Sequence, residues 1–126
     1  MRDFKAIKAW EKRHVLTLSI YRATRAFPRE EQYGLVSQMR RAASSIPANI
    51  AEGCGRDGEP ELARFSQISF GSASELEYWL LLARDLGYLP NALYEELAAQ
   101  TVEVKKMLGA FISAVRGRTY ANRLTA

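Results

Sequence analysis

Glu11 and His14 stand three residues apart, the Glu-x-x-His spacing with which carboxylate-bridged di-iron bundles place two ligands on one helix face. Such a centre needs a second pair and two further carboxylates, and the chain holds one histidine. His14 therefore reads as a residue packed beside Trp10 at the edge of a helical seam. Cys54 is the single cysteine. A thiol nucleophile needs a base to take its proton, and no second histidine or CxxC motif is present to activate it. Cys54 reads as a small buried residue at a crowded helix end; a lone cysteine excludes an internal disulfide and fits a reducing cytoplasm. These residues make no catalytic constellation. The expectation is a protein that is not an enzyme, with no metal site and no cofactor.

The basic side chains carry the remaining signal. Lys5, Lys8 and Lys12 recur at three- and four-residue steps, and Arg22, Arg25 and Arg29 repeat that spacing further along, so each set forms a stripe on a helix. Neutralising phosphates with such stripes releases counterions, which gives affinity for nucleic acid without reading its sequence. A solvated helix face accounts for either stripe equally well. Arg40 and Arg41 flank a core face, where arginine stems pack and the heads pair with acids. Glu52 and Arg56 are spaced for an (i, i+4) ion pair.

Charge is segregated along the 126 residues. Residues 1–29 hold eight Lys or Arg against Asp3 and Glu11, a net +6; residues 30–56 balance; residues 57–100 hold eight acids against Arg64 and Arg84, a net −6; residues 101–126 carry +4. Basic ends and an acidic third quarter favour an anionic partner, or contact between unlike surfaces of identical subunits. The first residues lack the apolar block of a signal peptide. The longest apolar run, Trp79 to Ala83, is far short of the ~20 residues that span a bilayer, so a cytoplasmic protein without a membrane partner is expected.

Four helical patterns position these groups. The first runs from Phe4 or Lys5 to Ala26, before Pro28. It carries two apolar stripes: Trp10, His14, Leu18 (or Thr17) and Tyr21 on one, and Leu16, Ile20, Ala23 and Phe27 on the other. One stripe suffices for a bundle, so the second points to an oligomer interface, the alternative being one broad core face. The second helix begins near Glu30 and Glu31 and places Leu35, Met39, Ala42 or Ala43, Ile46 and Ile50 on one face. Pro47 removes a donor inside it, at a cost of about 3 kcal/mol, so a kink near Ser44 is expected. Asn49 reads as a buried amide tying helices together near that kink. The third spans Glu59 to Leu86, with small residues around Gly71 that suggest a close crossing, since Gly costs about 1 kcal/mol there relative to Ala. Gly87 ends it. The fourth spans Asn91 to Val115, and residues 118–126 lack a period and are expected to be a mobile tail. The fold class is all-α: one domain over 1–126, an antiparallel up-down-up-down four-helix bundle with its second helix kinked at Pro47.

From Tyr33 to Arg56 the chain carries YGL..Q.RRAA.SI..NIAEG.GR, followed by GS..ELE and LGYL. These motifs, in this order, resemble the four-helix bundle family encoded within intervening sequences of bacterial 23S ribosomal RNA genes, which takes in the accessory variability proteins of diversity-generating retroelements. The resemblance covers Trp10 to about Arg116. It implies a basic homopentamer that binds RNA or DNA without strong sequence preference. Lys8, Lys12, Arg25, Arg40, Arg41 and Arg56 are the candidate contacts. The alternative it leaves is a structural or adaptor oligomer in which Arg40 and Arg41 hold subunits together and the partner is a protein such as a reverse transcriptase.

Overall fold

In the computed structural model, which describes residues 3–7 and 10–125, four helices follow one another: α1 (Trp10–Thr24), α2 (Leu35–Gly55), α3 (Glu59–Asp85) and α4 (Asn91–Thr125). No strand occurs among the described residues. The chain before α1 is a short 3-10 turn, Phe4–Ala6, started by the Asp3 carboxylate accepting from the Lys5 backbone N–H at 3.0 Å. The first helix is therefore shorter than its pattern suggests. A second 3-10 turn, Arg29–Glu31, leads into α2. Only two turns require a left-handed backbone, at Gly58 (φ 89°) before α3 and Gly87 (φ 80°) after it, and both are residues without a Cβ to clash.

Cross-contacts run in opposite senses along each neighbouring pair. Thr17 meets Ala43 while Thr24 meets Arg40; Ser69 meets Ile46 while Leu62 lies against Gly53; Glu77 pairs with Lys105 while Glu59 pairs with Arg118. The core between the helices holds Leu16 and Ile20 of α1, Met39, Ile46 and Ile50 of α2, Leu76 and Leu80 of α3, and Leu108 and Val115 of α4, all with no exposed surface.

Helix α2 runs unbroken through Pro47. A proline at 47 cannot donate to the Ala43 carbonyl four residues earlier. That carbonyl accepts instead from the buried Thr17 hydroxyl of α1 at 3.1 Å, so the donor that α2 lacks comes from a neighbouring helix. The Ile46 carbonyl likewise accepts from Ser69 of α3 at 2.7 Å. Asn49 differs from its expected role. Its amide donates within α2, to the Ser45 carbonyl and hydroxyl, both at 2.8 Å, and the cross-helix tie is made by Ser45 to Ser72 at 2.9 Å.

Two further expectations are corrected. Gly71 is exposed, and a Cβ there would meet nothing within 4 Å. The close crossing is at Gly53, where a Cβ would stand 3.0 Å from the Phe65 Cβ and 3.3 Å from the Leu62 Cδ1. The small residues of α3 that bond to α2 are Ser69, to the Ile46 carbonyl, and Ser72, to Ser45. The last residues do not leave the helix after Val115. Helix α4 continues to Thr125, beside the start of α3, where Arg118 pairs with Glu59 at 3.0 Å.

Candidate nucleic-acid interface

The candidate basic residues fall into separate places. Lys8 lies outside the described residues. Lys12, on α1, is in an ion pair with Glu103 of α4, so its charge is already met. Arg56, at the end of α2, donates twice to Glu52, at 3.2 and 2.9 Å, and lies over the Phe65 ring at 5.4 Å. The (i, i+4) spacing of Glu52 and Arg56 thus yields the pair it suggests.

Arg25, Arg40 and Arg41 are brought together. The end of α1 and the start of α2 meet here because the short link between them turns the chain back on itself. Arg40 is fixed by α1: its Nε donates to the Thr24 hydroxyl at 2.9 Å, a terminal nitrogen donates to the Tyr21 carbonyl at 3.2 Å, and the guanidinium lies 4.8 Å from the Tyr21 ring centre. From that position it borders two hollows. One, of about 340 Å³, also has Arg25 and Arg29 in its wall; the other, of about 480 Å³, has Arg41, Tyr21 and Tyr33. Arg25, Arg29 and Arg41 are exposed and make no ion pair among the described residues. Tyr33 is 91% exposed. Of the nearby acids, Glu31 accepts from the Tyr88 hydroxyl at 3.0 Å, and that bond is the first cause raising the Tyr88 pKa, ahead of burial and the charges of Glu31 and Glu30. The cluster is therefore a set of arginines, one held and three free, with two tyrosine rings alongside.

Beside it, one face of α1 is apolar and uncovered. Val15, Leu18 and Tyr21 are 48, 39 and 40% exposed, while Leu16, Thr17, Ile20 and Thr24 face the core. The stripe of Leu16, Ile20 and Phe27 is thus buried, as is Thr17, while Leu18 and Tyr21 of the other stripe stay open in the single chain with Val15 beside them.

Charge alone does not reveal Arg13. Its side chain is fully buried, and none of its guanidinium nitrogens finds a hydrogen-bond partner among the described residues. Burial lowers its pKa from the usual arginine range to about 10, with Cys54 opposing the change. A lysine or arginine at a wheel position between core residues is the only trace of this in the sequence. His14 stacks on Trp10, ring centres 5.2 Å apart and planes 9° apart, as its place beside the seam suggests. No group of three or more metal-ligating side chains occurs among the described residues, and no helix among them is long and apolar enough to cross a membrane.

Comparison with known proteins agrees with the fold. A crystal structure from Bacteroides thetaiotaomicron, a protein of unknown function from the S23 ribosomal protein family, is similar with a TM-score of 0.75 and 24% identity, over 82% of this chain and 97% of that one. At that identity the likeness concerns the fold alone. No curated protein matches. The family model described as 23S rRNA-intervening sequence protein matches residues 5–110, a span that takes in the Arg40–Arg41 pair, the Pro47 helix and the α3–α4 hairpin, and the chain belongs to that family.

Proposed function

We propose that this chain is a non-enzymatic homo-oligomer, a pentamer by family resemblance, that binds RNA or DNA through phosphates without strong sequence preference. The observation that carries the reading is the convergence of Arg25, Arg29, Arg40 and Arg41 at the α1–α2 end, with three of the four unpaired. Unpaired guanidinium groups in a fixed frame meet phosphate oxygens two at a time. In a closed ring the cluster repeats in every subunit, and linked copies raise affinity above that of one. Lys12 and Arg56 contribute less, since each is already neutralised by a carboxylate. Self-association is supported by the open row Val15, Leu18 and Tyr21 on α1. The same row supports the second reading, an adaptor whose main partner is another protein such as a reverse transcriptase.

The test is fluorescence anisotropy with labelled RNA and duplex DNA at two salt concentrations, beside light scattering. Affinity that falls steeply with salt and is similar for unrelated sequences is expected. Combining Arg25→Glu with Arg41→Glu is expected to weaken duplex binding and lower the salt slope by about 1.8, two phosphate contacts' worth, with the assembly mass unchanged. Leu18→Glu is expected to lower the mass. No binding by the wild-type chain at low salt would remove the nucleic-acid reading in favour of the adaptor.

A further inference from the structure

At the other end of α2, about 22 Å beyond Arg40 by the helical rise from there to Gly55, α3 begins and α4 ends. Between them lies an open groove of about 630 Å³, within the roughly 300–1,000 Å³ that small-molecule sites occupy. Its wall includes Arg64 and Gln67 of α3 and Arg116, Thr119, Tyr120 and Arg123 of α4. No carboxylate is among the described residues of that wall. The acids nearest in sequence are paired: Glu61 accepts from Arg64 of the wall itself at 2.8 Å, which meets that arginine's charge, and Glu59 accepts from Arg118 at 3.1 Å. Arg116 is steadied by a neutral group, the Gln67 amide oxygen at 3.4 Å, which leaves its charge unspent. Arg123 is exposed and makes no ion pair among the described residues. Tyr120 stands among these arginines with 65% of its surface exposed. Arg116, Thr119, Tyr120 and Arg123 all follow residue 110, where the family match stops, so the α4 wall of this groove lies outside the matched span.

We propose that the groove between the start of α3 and the end of α4 is a site for single-stranded nucleic acid, where Arg116 and Arg123 meet successive phosphates and Tyr120 stacks on an unpaired base. Guanidinium groups tracking a backbone beside an exposed aromatic ring is the arrangement by which proteins hold single strands. A duplex keeps its bases inside the stack and has none to offer Tyr120. The inference rests on the nucleic-acid reading above and adds the strand class and a second contact region.

The experiment uses the full chain and a fluorescein-labelled twelve-nucleotide uridine strand, with a labelled duplex of equal length for comparison. Tyr120→Ala is expected to weaken single-strand binding about 10-fold, the loss of one stacked base, and to leave the duplex unaffected; Tyr120→Phe, which keeps the ring, is expected to bind as wild type does. Arg116→Ala with Arg123→Ala is expected to lower the single-strand salt slope by about 1.4. Helical content by circular dichroism checks that α4 persists in each variant. If wild type binds the strand and every groove variant matches it, the groove inference is overturned while the nucleic-acid reading stands. If wild type binds neither probe, both are overturned. A change of assembly mass in the groove variants would mark the groove as a contact between copies and overturn the inference as well.

Discussion

Arg13 sets the protein's interior against its own stability, and the size of that conflict can be worked out. Its guanidinium is taken wholly out of solvent among Leu16, Thr17 and Ile20 of the same helix face, with no hydrogen-bond partner among the described residues. Burial disfavours the charged form, which lowers the pKa from the usual arginine range to about 10 against a smaller opposing effect of Cys54. Holding that charge without a partner costs on the order of 3 kcal/mol at neutral pH. Replacing a buried charge by an apolar side chain of similar shape is worth about 1–4 kcal/mol. Arg13→Met keeps an unbranched stem and is expected to stabilise the fold by about 2 kcal/mol, part of the gain being offset by the shorter side chain.

The sign with pH follows from linkage. The unfolded chain binds this proton more tightly than the folded one, so stability rises with pH wherever the group titrates. The penalty is fully present below pH 10 and lifts as the pH rises above about 10 toward the ordinary arginine range. The advantage of Arg13→Met over wild type is therefore constant from pH 6 to 9 and shrinks above pH 10. Urea unfolding of both proteins at one protein concentration measures it, since association otherwise shifts the midpoint; a midpoint increase of about 1 M is expected at pH 7. Arg13→Lys, which keeps the charge, is expected to gain nothing. A loss of 2 kcal/mol or more in Arg13→Met would refute the reasoning, because only a guanidinium with a strong partner leaves such a loss when it is removed.

Other perturbations test the frame that holds both arginine regions. Thr17→Val is expected to cost about 1–2 kcal/mol by leaving the buried Ala43 carbonyl unbonded, and to cost much less in a Pro47→Ala background, where residue 47 regains its own N–H; equal costs by urea unfolding would sink this account. Gly53→Ala is expected to destabilise by about 1–3 kcal/mol through its clash with Phe65, whereas Gly71→Ala, with nothing within 4 Å, is expected to stabilise by about 0.5–1 kcal/mol; thermal melts of the two would differ in sign. Lys12→Glu faces Glu103 with a like charge and is expected to lower the thermal midpoint while changing the salt slope for duplex DNA by less than the Arg25→Glu and Arg41→Glu pair does.

The parts of the fold that were legible are those set by a dense periodic core. In α2 and α3 apolar residues recur at helical spacing and glycine or proline marks the turn between them, so α3 and the end of α2 follow from the pattern to within a residue or two, whereas α2 starts at Leu35 and not at Glu30, which falls in a 3-10 turn. The ends of the chain were less legible. The end of α4 lacks an apolar period because only one side of it faces α3; it is held by Arg118 to Glu59 and Arg116 to Gln67, contacts between residues about 50–60 positions apart that no local pattern encodes. Arg13 was hidden for the opposite reason, since a formal charge places a residue on the surface by default and only the packing of α1 puts it inside. Gly71 and Gly53 show the same limit: both are glycines within helices, and which one meets a neighbour depends on about 100° of rotation around each helix.

The separation of charge along the chain looks different once the ion pairs are placed. Four of the eight carboxylates of the acidic third quarter are paired with nearby cations: Glu59 with Arg118, Glu61 with Arg64, Glu77 with Lys105 and Asp85 with Arg84. Pairs this exposed add little stability, about 0–1 kcal/mol each, so their consequence lies in where charge remains. They neutralise the long flank where α3 and α4 lie together and leave unpaired arginines at the two ends of α2, Arg25, Arg29 and Arg41 at its start and Arg116 and Arg123 beyond its finish. A net charge of +4 thereby becomes two local concentrations of cation beside exposed tyrosines, which is a stronger attraction for a phosphate chain than the same charge spread evenly.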